Sequence, residues 1–123
     1  MDRRQETLEH AVGSVRVGRQ IVRRSLDGRD RRRTDVAALL TDELIANAVK
    51  HGKPPVVLTL EIDRGMLFVA VTDAAPEFPT VRRPSSDAES GRGMRLVDVL
   101  SDGWGIDRLS PGKRVWFRLG TLG

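Results

Sequence analysis

The chain contains no cysteine. That excludes a disulfide framework, a thiolate zinc site and a cysteine nucleophile. Tyrosine is also absent, and aromatic residues make up only 4% of the sequence. Recognition of bases by an aromatic stacking platform is therefore disfavoured. The longest apolar run, MLFVAV from Met66 to Val71, is far too short to span a bilayer. The opening residues MDRRQE lead into no apolar signal region. These absences lead us to expect a cytoplasmic protein that does not engage a membrane.

What is present suits one globular domain over residues 1–123, with 39% hydrophobic residues to fill a core. The formal net charge is +4, and much of the positive charge is local. Arginines occupy positions 23, 24, 29, 31, 32 and 33. Such a run can meet nucleic acid phosphates, but no aromatic residue interleaves with it. Without that interleaving, direct nucleic acid binding is not expected. A solvated helix end and loop is the plain reading, and docking to an acidic protein partner is the functional one.

Along the chain, residues 1–10 are polar and give no element. Val15, Gly18, Val22 and Leu26 follow helical spacing, which predicts a helix over about 11–26, broken at Gly28. Thr34 is a candidate N-cap for a second helix running to His51, with Gly52 just past its end and Pro54-Pro55 preventing continuation. The period then changes to two. Strands are predicted over 56–63 and 66–73, joined by Asp63-Arg64-Gly65. A long loop from 74 to 91 precedes a third helix over about 93–101. Strands over 104–108 and 114–119 follow, separated by Pro111-Gly112. The order predicts an α+β fold: a two-layer α/β sandwich whose mixed, mostly antiparallel sheet is covered on one face by three helices.

Three groups of residues carry possible chemistry. In ELIANAVKHG, residues 43–52, Glu43, Asn47 and His51 recur four apart and line one stripe of the helix. Asn47 offers a neutral oxygen to a hard cation such as magnesium, and Glu43 one turn earlier could act as a general base. An exposed polar stripe is the alternative. Asp73 is in phase with Leu67, Val69 and Val71, so it points to the core face of its strand and needs donors there. The exocyclic amine of a purine would serve; alternatively, the strand ends at 72 and Asp73 caps a turn. The third group is SGRGM, residues 90–94, where Gly91 and Gly93 flank Arg92 just before a helix start and Met94 follows. Glycines there allow a phosphate to approach backbone N–H groups, or they simply loosen a loop end.

Taken together and in this order, these motifs resemble the GHKL ATPase superfamily of gyrase, MutL, heat-shock chaperones and histidine kinases. ELIANAVKHG, VTDAAPEFP, DAESGRGMRLVDVLSDGWG and GKRVWF are similar to small bacterial histidine-kinase-like ATP-binding domains, close to the anti-sigma-factor serine kinases. The resemblance covers roughly residues 12–119. It implies the GHKL fold with ATP and Mg2+ as ligands. Asn47 would bind the magnesium, Glu43 would be the catalytic base, and Asp73 would read the adenine amine. Gly91, Arg92, Gly93 and Met94 would lie at the nucleotide, and residues 77–90 would form the ATP lid. One departure stands out: where the superfamily has DxGxG, this chain has Asp73-Ala74-Ala75-Pro76-Glu77.

The resemblance implies an ATP-binding anti-sigma factor that phosphorylates a Ser or Thr of an antagonist protein. Its partners would be a sigma factor and that antagonist, and homodimers are expected. The alternative is a non-catalytic module of the same kind that sequesters a partner, with ATP structural or absent.

Overall fold

A computed structural model describes residues 2–75, 88–120 and 122, and gives 88–93 by backbone alone. The elements run β1 (Asp2–Leu8), α1 (Gly13–Ser25), α2 (Arg31–His51), β2 (Val56–Asp63), β3 (Met66–Asp73), α3 (Ala88–Leu100), β4 (Gly103–Arg108) and β5 (Lys113–Leu119). The sheet order is β1-β2-β3-β5-β4. Every described pairing is antiparallel, so the sheet is not mixed. All the inter-strand connections that follow from hairpins, or from the α3 crossover, reverse the chain direction.

The two-residue turn at Arg64-Gly65 takes positive φ at both positions, 55° and 78°. That is the twist a tight hairpin needs, and it fixes the β2–β3 register at Asp63↔Met66. The register puts Leu58, Leu60 and Ile62 on the same face as Leu67, Val69 and Val71. Val115, Phe117 and Leu119 of β5 continue that face. Leu44 and Ile45 of α2 and Val22 of α1 close over it, and all these residues are buried. Burial of such side chains contributes roughly 1.5–3 kcal/mol each, which makes this layer the main stabilising term. The other sheet face carries Phe68 stacked on Trp116 at 5.8 Å, with the Arg118 guanidinium 5.7 Å from the Trp116 ring.

Three boundaries differ from the sequence reading. The first is β1, a strand formed from DRRQETL although five of its seven residues are exposed. It pairs along its whole length with β2, so backbone hydrogen bonding to an open sheet edge, rather than apolar periodicity, creates it.

The second is the start of α2. Asp30, not Thr34, is the N-cap: its carboxylate accepts from the Arg33 N–H at 2.9 Å. Thr34 instead turns its hydroxyl back onto the Asp30 carbonyl at 2.8 Å. Aspartate caps at least as well as threonine, and arginine is a good helix former, so the helix begins four residues earlier. Asp30 is itself anchored, because its N–H donates to the Leu122 carbonyl at 2.8 Å.

The third is α3, which begins at Ala88 rather than near 93. SGRGM therefore lies inside the first turns of the helix instead of opening it. The two glycines each cost the helix about 1 kcal/mol relative to alanine, so it is packing on α2 rather than propensity that sustains this start.

Among the described residues no helix is long and apolar enough to cross a membrane.

Candidate functional site

The last turn of α2 and the ends of β3 and β5 converge. The connection after α2 is short: Gly52 N–H closes the helix on Ala48 O at 2.8 Å, and Lys53 then turns toward β3. Lys53 O accepts from Ala74 N–H at 2.8 Å, which ties this turn to the end of β3. His10, exposed in the segment after β1, adds a contact from Nε2 to Gly52 O at 3.1 Å.

Asp73 sits at the centre. It completes β3 and points to the core face, as its phase requires, and it is 4% exposed. It also closes a turn, because Oδ1 accepts from the Ala75 N–H at 2.8 Å. The strand thus runs through Asp73 rather than ending at 72, and the residue caps a turn all the same. A longer contact, 3.4 Å, brings the Lys53 N–H to the same oxygen. Oδ2 accepts from Lys113 Nζ at 2.6 Å, and the two side chains are 1% and 2% exposed.

Lys113 is the residue the sequence reading missed. It is the register partner of Asp73 across β3 and β5. The signal was its phase: Lys113 alternates with Val115, Phe117 and Leu119, so it too falls on the core face. Starting β5 at 114 hid it. Two glycines let the cluster close. Gly112 has φ +99°, and a Cβ on it would overlap the Asp73 carbonyl oxygen. A Cβ on Gly52 would overlap the Asp73 carboxyl carbon.

Glu43 and Asn47 lie together on α2 and are half-buried, one turn apart, about 6 Å along the axis. Neither side chain has a hydrogen-bond or ion-pair partner among the described residues. Among those residues, then, nothing engages their oxygens. His51, which completes the stripe, is exposed and engaged in a contact of its own. Among the described residues no three acidic or histidine side chains cluster as a protein-only metal cage. Magnesium held by one or two protein oxygens together with phosphates needs no such cage, and Asn47 fits that kind of donor set.

The remaining sequence candidates lie on α3. This helix packs on α2. Met94 is partly buried and packs against the core. The side chain of Arg92, and what Gly91 and Gly93 face, are outside the described residues. Residues 77–87 of the expected lid are outside them too, while 88–90 form the first turn of α3.

A family profile described as histidine kinase-like ATPase domain matches residues 6–119. The chain belongs to this family. The fold is shared with a histidine kinase domain from the Erythrobacter litoralis EL346 blue-light activated histidine kinase. That likeness has TM-score 0.60 and 18% identity, over 89% of this chain and 61% of the other. It is shared also with the Acinetobacter baumannii histidine kinase AdeS, at TM-score 0.59 and 9% identity, over 100% of this chain and 70% of that one. At such identities the likeness is one of fold. This chain spans about three-fifths of the first of these structures. No curated protein matches it in sequence.

Histidine kinase-like ATPase domains bind nucleotide, so the convergence of α2, β3 and β5 is the candidate nucleotide site of this one.

Proposed function

We propose that this domain is an ATP-binding anti-sigma factor that phosphorylates a serine or threonine of an antagonist protein. Transfer would release or restore its hold on a sigma factor. The observation that carries the reading is the Glu43–Asn47 stripe. It offers two oxygen-bearing side chains, one turn apart and without a partner among the described residues, on the helix whose end meets Asp73.

In this reading Mg-ATP would be the phosphoryl donor, and magnesium, when bound, would supply charge neutralisation at the phosphates. Asn47 would hold it through its side-chain oxygen. Glu43 accepts the proton of the attacking hydroxyl as that oxygen bonds to the γ-phosphorus and the ADP oxygen departs. Asp73, at the end of β3, would read the adenine amine. The arginines at 31 and 32, exposed in the first turn of α2, suit an acidic partner surface.

A second reading is favoured by one observation. The Asp73 carboxylate is already held by Lys113, Ala75 and Lys53. A domain whose base-reading carboxylate is internally satisfied could act by sequestering a partner without catalysis.

The discriminating experiment is transfer from labelled Mg-ATP to the candidate antagonist protein. The wild type should transfer label, and Glu43→Ala should bind nucleotide as before while transfer falls by about 10²–10⁴. Wild type that binds ATP and its partner yet transfers nothing would leave the sequestration reading.

A further inference from the structure

Lys113 has no part in the function proposed above, yet it is one of the largest fully buried side chains of the protein. Among the described residues its ammonium is paired with the carboxylate assigned to the base.

A carboxylate has about four acceptor positions. At Oδ1 of Asp73 two are taken, by the N–H groups of Ala75 and Lys53. At Oδ2 one is taken by the Lys113 ammonium. Gly52 packs against the carboxyl group, where a Cβ would lie 2.4 Å from its carbon, and the side chain is 1% exposed. Among the described residues the carboxylate is thus enclosed and held by donors of the chain itself. An incoming amine must replace a donor that is already there. Backbone N–H groups are fixed by the ends of α2 and β3, whereas the lysine is a flexible side chain. The replaceable donor is therefore Lys113. A cation is also a stronger donor to a carboxylate than a neutral aromatic amine, so the internal bond competes well.

We infer that Lys113 is an internal competitor for the adenine amine at Asp73, and so a determinant of nucleotide affinity and base selectivity. The inference rests on the reading that Asp73 faces the base. Adenine gains this carboxylate only when Lys113 gives it up. Guanine carries a carbonyl oxygen where adenine carries its amine, so a freed carboxylate gives guanine nothing at that position.

The test is calorimetric titration of wild type and Lys113→Thr with Mg-ATP and with Mg-GTP. Threonine leaves a hydroxyl donor near the strand but withdraws the ammonium. ATP affinity should rise by about tenfold to a hundredfold, the scale of one charge-assisted hydrogen bond, and GTP affinity should not rise. Unchanged ATP affinity would overturn the inference. So would a loss of ATP affinity, which would make Lys113 a donor to the base. An equal gain for both nucleotides would also overturn it, since that is the mark of general loosening. In each of those cases ATP still binds, and the nucleotide reading of the site stands. If neither protein binds ATP, that reading fails and the inference with it.

Should Lys113→Thr not fold, the wild type supplies the answer. The chain has three lysines, Lys50, Lys53 and Lys113. In protein labelled with 15N-lysine, ATP should move the Lys113 Nζ resonance, and GTP should leave it in place. A Lys113 signal that ATP does not move at the highest concentration titrated would overturn the inference.

Discussion

Replacing Lys113 by methionine should destabilise the domain far more than its position at a strand end suggests. Methionine fills nearly the same volume, so the cavity term is small and the perturbation is electrostatic. It strands the Asp73 carboxylate, whose side chain is 1% exposed, without its ammonium partner. Breaking a buried pair from one side typically costs 3–5 kcal/mol. Two backbone N–H groups, from Ala75 and Lys53, remain on Oδ1. They soften the loss, which places the expectation at the lower end, about 3 kcal/mol. For a domain of this size that corresponds to a fall in Tm of roughly 10–15 °C. Urea unfolding followed by the fluorescence of Trp104 and Trp116 measures it. The double variant Asp73→Asn/Lys113→Met removes both charges and should recover at least half of the loss. An exposed pair provides the contrast. Arg3 and Glu61 meet at 3.1 Å, but their side chains are 56% and 33% exposed. Arg3→Ala should therefore cost less than about 1 kcal/mol. If Lys113→Met costs no more than Arg3→Ala, the argument that burial makes the Asp73–Lys113 pair consequential is refuted.

Three further outcomes follow from the same structure. Asn47→Ala should abolish the magnesium dependence of ATP binding; tighter binding on adding magnesium to the variant would remove Asn47 as the metal ligand. Reversing Arg31, Arg32 and Arg33 to glutamate should slow association with an acidic partner most at low salt, which stopped-flow measurement over a salt series would read. The same reversal should not weaken the fold, because acidic side chains suit the N-terminus of α2, and a lower Tm would contradict that. Asp30→Ala should cost about 1 kcal/mol through loss of its cap to the Arg33 N–H. An unchanged urea midpoint would show that the cap contributes nothing.

Residues close in sequence fixed much of this protein on their own. The alternation through 56–63 and the apolar run through 66–73 determined a hairpin, and the turn between them set its register, because these signals are local. Helical spacing in α1 and α2 placed the core faces for the same reason. The four-residue recurrence of Glu43, Asn47 and His51 put them on one stripe whatever the rest of the chain did. The phase of Asp73 with Leu67, Val69 and Val71 likewise committed it to the core side. Tertiary structure decided what local pattern could not express. β1 exists because β2, from Val56 onward, has an open edge far along the chain, and a strand held by backbone pairing needs no apolar period. The start of α2 was settled between two capable caps by the Leu122 carbonyl, which holds Asp30 from the far end of the chain. Above all, Asp73 and Lys113 are 40 residues apart. Each taken alone is a charged residue at the end of an apolar strand, and an unpaired charge there would be costly enough to argue against burial. Only the antiparallel register of β3 and β5 brings the two charges opposite one another, and their mutual attraction is what allows both to be buried.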